Sequence, residues 1–533
     1  MNSLFLQRIQ SVLSKVQESA WRLLPHTPVL MVALLVIMTG LRGLDFGYHW
    51  DEAPAQVDPV RRSLEHQVLL PGYYTYPSVN YWLNLGALAP SLLKALLTGR
   101  NIQEHLLAAI DTHTYLLRIR AIHVLVSALA VIWIYFAVLF WRKSKAEAFL
   151  AGSILGLSWE VAYHSRWAAP DSIMMQFGAL YLLTMLRLHL KPAEPKLRHL
   201  SAISAGLACG TKYPGGIFLF PLLLLVYLNR GSVERRRSIG SVLLETTGIF
   251  VGTFILVTPG SVLQPWRFWE HVVEAFQWYN QRGLFGFTVE PGLDHLSRIV
   301  TYLSLVLLSR YATVSAVLAG FALVGAASVW KSSRKVGLLL VLLPLSYVLF
   351  FGLQRLMIVR NLLVLAPFMA ILTARGVAAT WQRLNARLPR LLLSSAITAI
   401  LVVNGGWLIH AAETIRDPNS DRYVSDLASY VIAKPLDEFY VSPRVWGALQ
   451  AMGAPRPPNM TISLSETVDF VAIYAYEAMT DWRNWPANIR GLIVASFGPM
   501  EVNFNYYPNW SGNDRIILMT IDQARKAGVN LGE

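Results

Sequence analysis

The sequence predicts a polytopic α-helical membrane protein with about eleven spans and a small C-terminal α/β domain. Three observations predict it. Of the 533 residues, 54% are hydrophobic and only 15% charged, with a mean hydropathy of +0.42. A soluble chain of that length needs far more charge to cover its surface. The apolar residues are gathered into runs long enough to cross a bilayer, separated by short basic clusters. From residue 411 onward this grouping stops, and short alternating segments replace it.

The elements follow in order. Residues 1–27 form an amphipathic, mildly basic segment without the short apolar core of a cleavable signal, so a cytoplasmic surface helix is expected. The first span covers 28–46. A long loop, 47–115, contains two amphipathic pieces, "APAQVDPVRRSLEHQ" and "PSVNYWLNLGALAPSLLKALL", suited to the membrane interface. Spans at 116–140, 147–166, 171–189, 199–212, 214–229 and 239–258 come next. A second large loop, 260–310, carries "PWRFWEHVVEAFQWYNQRGLFGF", whose mixture of aromatic and charged residues marks interfacial helices. Spans at 311–330, 336–353, 361–379 and 390–410 close the membrane domain, 28–410. In 411–533, "DEFYVS", "DFVAIYAY", "GLIVASFG" and "RIILMTID" read as strands and 419–433 as a helix.

Charge fixes the expected orientation. With the N-terminus cytoplasmic, the inner segments are "RKSK", "RLHLKPAEPKLRH", "NRGSVERRR", "KSSRK" and "RLNARLPR", all basic. The chain is therefore expected in the plasma membrane, multi-pass, with an extracytoplasmic C-terminal domain. The net charge of +14 then records orientation, and no nucleic-acid partner is expected. The single cysteine, Cys209, permits no intramolecular disulfide.

Once the register is set, ionisable residues gather at one level. Asp51 and Glu52 follow the first span, and Arg118 and Arg120 begin the second. Glu160, His164 and Arg166 close the third, and Asp171 opens the fourth. Lys212 stands at the corner between the fifth and sixth, with Arg355 and Arg360 between the ninth and tenth. Each has an ordinary role available: loop carboxylates are usually solvated, Asp171 after Pro170 suits a helix start, and isolated cations snorkel to headgroups. Charges of both signs at one membrane depth are costly unless they share a polar site. Glu160 and His164 are four apart, hence on one helical face. With Asp51 and Asp171 they are candidate ligands for a divalent ion, although the sequence fixes no metal geometry. No other cofactor is expected.

Such a set suits transfer from a lipid-linked phosphate. Cations neutralise the departing phosphate, and a carboxylate takes the proton of an incoming hydroxyl. Here the sequence resembles the GT-C glycosyltransferases, in the group of dolichyl-phosphate-mannose protein mannosyltransferases and lipid A aminoarabinose transferases (glycosyltransferase family 39-like). The likeness rests on "HWDEAPAQ", "YTYPSVNYWLNL", "LLRIRAIHVLVSALAVIWIYF", "YHSRWAAPDSIMMQFGALYLL", "GLACGTKYPGGIFLFPLLLL" and "VRNLLVLAPFMAILTARGV", over residues 28–410. "DPNSDRYVSDLASYV" resembles bacterial members with an outside C-terminal domain.

The resemblance implies an inverting single displacement from a polyprenyl-phosphate-linked monosaccharide to a lipid, glycan or protein hydroxyl. Asp51 would be the general base, Glu52 would assist or position it, and Asp171 would bind sugar, acceptor or metal. Arg118, Arg120, Lys212, Arg355 and Arg360 would surround the donor phosphate. His49, Tyr76, His164 and Arg166 are the candidate acceptor or sugar contacts. Unlike the eukaryotic protein mannosyltransferases, the second large loop contains no trefoil-like insert, which weighs against a Ser/Thr protein acceptor. The alternative is a transporter or lipid flippase, which would place its charges near the midplane within repeated halves. No such repeat is visible.

Overall fold

The computed structural model describes residues 24–46, 52–232, 238–283, 287–415, 420–451, 457–474, 491–498, 516–527 and 529. The expected surface helix therefore lies, up to residue 23, outside the described residues, as do His49 and Asp51.

Seven helical segments among the described residues are long and apolar enough to cross a membrane. They are His113–Arg142, Pro170–Leu190, Ile239–Val257, Ala312–Ser332, Arg334–Gly352, Val359–Arg383 and Arg387–Glu413. The other four expected spans are helical but shorter or interrupted. Thr27–Arg42 has 16 residues, Pro195–Thr211 has 17, and Tyr213–Leu228 opens with a 3-10 stretch. The span expected over 147–166 divides into Lys145–Gly156 and Trp159–Ser165. Ser158 makes the division: its Oγ accepts the Val161 N–H as an N-cap and donates to the Leu307 carbonyl at 2.6 Å.

Burial separates the packed centre from the lipid-facing periphery. The Pro170–Leu190 helix is buried on nearly every side, between His113–Arg142 and Pro195–Thr211. The Arg387–Thr414 helix instead exposes Leu388, Leu391, Leu392 and Val402, as a helix bathed in lipid does. Gly325 and Gly376 let two helices touch backbone to backbone. A Cβ on Gly325 would strike the Leu372 carbonyl, and one on Gly376 the Phe321 carbonyl. Thr373 Oγ1 donates across this seam to the Leu318 carbonyl at 3.1 Å.

The first large loop folds into short helices at Asp58–Glu65, Val79–Gly86, Ala89–Thr98 and Ile102–Ile110. The sequence reading had not separated the last of these. Its polar cap is clear in the structure, with the Asn101 side chain accepting from the Glu104 N–H. The second loop contains the amphipathic helix Pro265–Gln277, a π-turn at Trp278–Arg282 and the helix Leu293–Leu305.

Among the described residues, the C-terminal region forms a mixed five-stranded sheet: β1 Phe439–Val441, β2 Met460–Thr461, β3 Phe470–Tyr474, β4 Ala495–Phe497 and β5 Ile516–Thr520. The strand order is β2-β1-β3-β5-β4. β1 runs parallel to β2 and β3, and β5 is antiparallel to β3 and β4. Alternate residues serve opposite faces. Phe439, Val441, Ala472 and Leu518 pack with Val424, Leu427 and Val431 of the Ser420–Ile432 helix. Tyr440, Val471, Ile517 and Met519 form the other face with Ala524. The two-residue β2 escaped the sequence reading because nothing in its length marks a strand. Asn459, just before it, directs Nδ2 to the Lys434 and Asp437 carbonyls at 2.9 Å each.

Candidate functional site

Asp171 occupies the first turn of the Pro170–Leu190 helix, where proline at N1 and a carboxylate suit the free amides and dipole. Its carboxylate is held between two cations. Lys212 Nζ lies 2.6 Å from Oδ1, and Arg360 Nε lies 3.2 Å from Oδ2. All three side chains are buried. Lys212 comes from the corner between the fifth and sixth expected spans, and Arg360 from the 3-10 stretch Val359–Leu365. Sequence separation hides this grouping; the helix packing creates it. Lys212 Nζ also donates to Asn361 Oδ1, a neighbour that the sequence reading did not single out.

Glu52 and Arg120 form a second buried pair. Arg120 Nε and Nη2 meet the Glu52 oxygens at 2.9 and 2.6 Å, the bidentate fork that guanidinium geometry favours. Arg120 also donates to the Leu44 carbonyl at 2.7 Å and lies 4.2 Å from the Phe46 ring centroid. Glu52 Oε1 further accepts the Ala168 N–H at 3.1 Å. One carboxylate thus ties the start of the first loop to the turn that leads into Asp171. Arg118 lies apart from this pair and donates to Ser91 Oγ at 3.0 Å.

The third group lies before that turn. Glu160 Oε2 accepts from the Tyr302 hydroxyl at 2.8 Å, with His164 Nε2 3.5 Å away. Arg166 is spent on backbone, donating to the Ala162 carbonyl and to Thr39 O at 3.0 Å. Its guanidinium lies 5.1 Å from the Trp159 ring centroid. Among the described residues, no group of three His, Cys, Asp or Glu side chains is placed to hold a metal ion. Of the four candidate ligands only Glu160 and His164 are seen side by side, and Asp51 is outside the described set.

A cavity of about 500 Å³ opens beside Lys212. Tyr73, Thr75 and Tyr76 come from the first loop, Phe276 and Tyr279 from the second, and Phe351 from the Arg334–Gly352 helix. Its wall is chiefly aromatic and aliphatic, and among the described residues Lys212 supplies its charge. The Tyr76 ring centroid is 5.8 Å from Lys212 Nζ. Arg355 lies beyond this cation cluster, donating through Nη1 to the Gln281 carbonyl at 3.1 Å. The structure therefore gathers Asp171, Lys212 and Arg360 into one buried cluster, of which Lys212 lines the cavity together with Tyr76, and holds Glu52 with Arg120 in a separate fork.

The two loops meet above the cavity. The Tyr74 hydroxyl donates to Gln264 Oε1 at 2.6 Å, and the Tyr74 N–H donates to His271 Nδ1 at 3.3 Å. Burial, followed by the neighbouring Arg267 charge, lowers the His271 pKa from its ordinary value, favouring the neutral ring that this bond requires.

Residues 93–230 match the family model described as dolichyl-phosphate-mannose-protein mannosyltransferase. That stretch contains Arg118, Arg120, Glu160, His164, Arg166, Asp171 and Lys212. No curated protein matches the chain by sequence. Among solved structures, the chain is similar to ArnT from Cupriavidus metallidurans bound to undecaprenyl phosphate. The TM-score is 0.48 at 13% identity, over 94% of this chain and 98% of that one. Archaeal oligosaccharyltransferase AglB from Archaeoglobus fulgidus, in complex with an inhibitory peptide and a dolichol-phosphate, gives 0.49 at 11% identity, over 89% and 72%. Arabinofuranosyltransferase AftD from Mycobacteria gives 0.40 at 14%, over 84% and 35%.

Proposed function

We propose that this chain is a membrane glycosyltransferase that moves a monosaccharide from a polyprenyl-phosphate donor to an acceptor hydroxyl, with inversion, on the extracytoplasmic face. The observation that carries the proposal is the buried Asp171–Lys212–Arg360 cluster at the edge of an apolar, aromatic-lined cavity. The mannosyltransferase family match over 93–230 supports it.

The chemistry follows from charge. The acceptor oxygen forms a bond to the anomeric carbon as the bond from that carbon to the phosphate oxygen breaks. The electron pair leaves with polyprenyl phosphate, where Lys212 and Arg360 stabilise the added negative charge. The acceptor proton passes to a carboxylate, the role assigned to Asp51, while Asp171 orients the two cations and the sugar. Aromatic walls suit the apolar faces of a sugar ring and the first isoprene units. The acceptor is a hydroxyl of a lipid, glycan or protein.

The test uses purified protein in nanodiscs with a panel of radiolabelled polyprenyl-phosphate sugars and membrane extract as acceptor source. Release of polyprenyl phosphate from one donor, lost in Asp51→Asn, supports the reaction and the base together. Undiminished release in Asp51→Asn removes Asp51 from the chemistry, and no release from any donor rejects the reaction.

A further inference from the structure

Asn361 joins two parts of the site that the sequence keeps far apart. Its Oδ1 accepts from Lys212 Nζ, and its Nδ2 donates to the Tyr279 hydroxyl at 3.2 Å. An amide has distinct acceptor and donor ends, so engaging both fixes its plane. The Asn361 carbonyl accepts from the Tyr347 hydroxyl at 2.9 Å, anchoring the residue against the Arg334–Gly352 helix. Asn361 is 1% exposed, so solvent offers no substitute for these bonds.

Lys212 is the residue that gains from this. An ammonium group has three N–H donors in tetrahedral array. Asp171 accepts one and Asn361 a second, which leaves the third for the cavity that Lys212 lines. Tyr279 lines the same cavity and belongs to the π-turn of the second loop. Because its oxygen accepts from Asn361, its own O–H remains a donor. Two donors, one ammonium and one phenol, therefore serve one space, and the Asn361 amide relates their positions. The loop end of this chain is pinned in turn, since the Arg355 N–H donates to the Tyr279 carbonyl at 2.8 Å.

We propose that Asn361 is a positioning residue for anion binding. It aims the free N–H of Lys212 into the cavity while the Tyr279 hydroxyl fixes its amide, so the second loop sets the affinity for the donor phosphate. This rests on the reading of the cavity as a polyprenyl-phosphate site.

The experiment measures donor KM and kcat, together with direct binding of undecaprenyl phosphate, for wild type, Asn361→Ala, Tyr279→Phe and the double variant. Loss of an oriented charged hydrogen bond weakens binding by roughly tenfold. Donor KM and the undecaprenyl phosphate Kd should both rise about that far in Asn361→Ala, and by a comparable factor in Tyr279→Phe. Over the same series kcat should fall by less than the loss in donor binding, because Lys212 keeps its charge near the departing phosphate and loses only its alignment. The double variant should bind no more than about twofold worse than Asn361→Ala alone, since both substitutions break one chain. Tyr279→Phe removes a single oxygen and keeps the ring, so it reports even if Asn361→Ala folds poorly. Fully additive losses, or a fall in kcat with unchanged KM and Kd, would overturn the positioning role. A wild-type protein that binds no undecaprenyl phosphate would overturn the phosphate-site reading itself, an outcome distinct from normal wild-type binding with unaltered variants.

Discussion

Glu52 and Arg120 form a bidentate ion pair from which solvent is excluded on both sides, with contacts of 2.9 and 2.6 Å. The same carboxylate accepts the Ala168 N–H, three residues before Asp171. Its placement directs the first loop toward the turn that carries the cluster. Removing one partner from such a pair leaves an uncompensated buried charge. Glu52→Gln should destabilise the protein by about 3 to 5 kcal/mol, seen as a lower thermal midpoint in detergent. An unchanged midpoint would mean that the fork does not hold the loop.

Asp171 acts differently, because two cations compete for it. In Asp171→Asn, Lys212 keeps Asn361 as a hydrogen-bond acceptor, while Lys212 and Arg360 both lose the carboxylate counter-charge, so some loss of stability accompanies the loss of activity. Transfer should fall by at least about a hundredfold, while the protein still elutes as a folded species on size exclusion. A stability loss as large as that of Glu52→Gln, with activity retained, would mark Asp171 as structural.

The joint between the loops is expected to respond to pH. His271 Nδ1 accepts from the Tyr74 N–H, which needs an unprotonated nitrogen. Burial, then Arg267, lowers its pKa from 6.5; Glu274 and Glu270 oppose this, and Arg62 adds to it. As pH falls through the unfolded value the open form binds more protons than the closed form. The stabilisation is therefore complete above that value and is lost as pH falls from it through the lowered folded value. Hydrogen exchange in 265–277, corrected for intrinsic rates, should be faster at about pH 5 than at about pH 7.5. His271→Asn, which keeps an acceptor but does not titrate, should abolish the difference.

The Gly325–Gly376 crossing tolerates no side chain, since each added Cβ meets a backbone carbonyl of the opposite helix. Backbone cannot rotate away as a side chain can. Gly376→Ala should cost roughly 1 to 3 kcal/mol or more, measured as a lower thermal midpoint, whereas Gly248→Ala, where nothing lies within 4 Å, should be nearly neutral.

The fold was largely legible because its signals are local. Long apolar runs mark the membrane helices, and short apolar runs rich in β-branched and aromatic residues mark β1, β3, β4 and β5. Local reading failed at Ser158, whose cap divides one apolar run into two helices. The site was legible as a list of charges but not as a set of pairs. Nothing in "LLRIRAIH" says that Arg120 turns to Glu52 while Arg118 turns to Ser91. That choice depends on which face of the His113–Arg142 helix meets the first loop. Asn361 and Tyr279 gave no signal, being uncharged residues whose partners lie 149 and 82 positions away.

The most direct measurement is single-turnover release of polyprenyl phosphate from its radiolabelled sugar conjugate, comparing wild type with Lys212→Met in nanodiscs. The account predicts release by the wild type and a loss of at least about a hundredfold in the variant, with the variant still folded. Equal release by both proteins would contradict the claim that the Asp171–Lys212–Arg360 cluster is the seat of the departing phosphate.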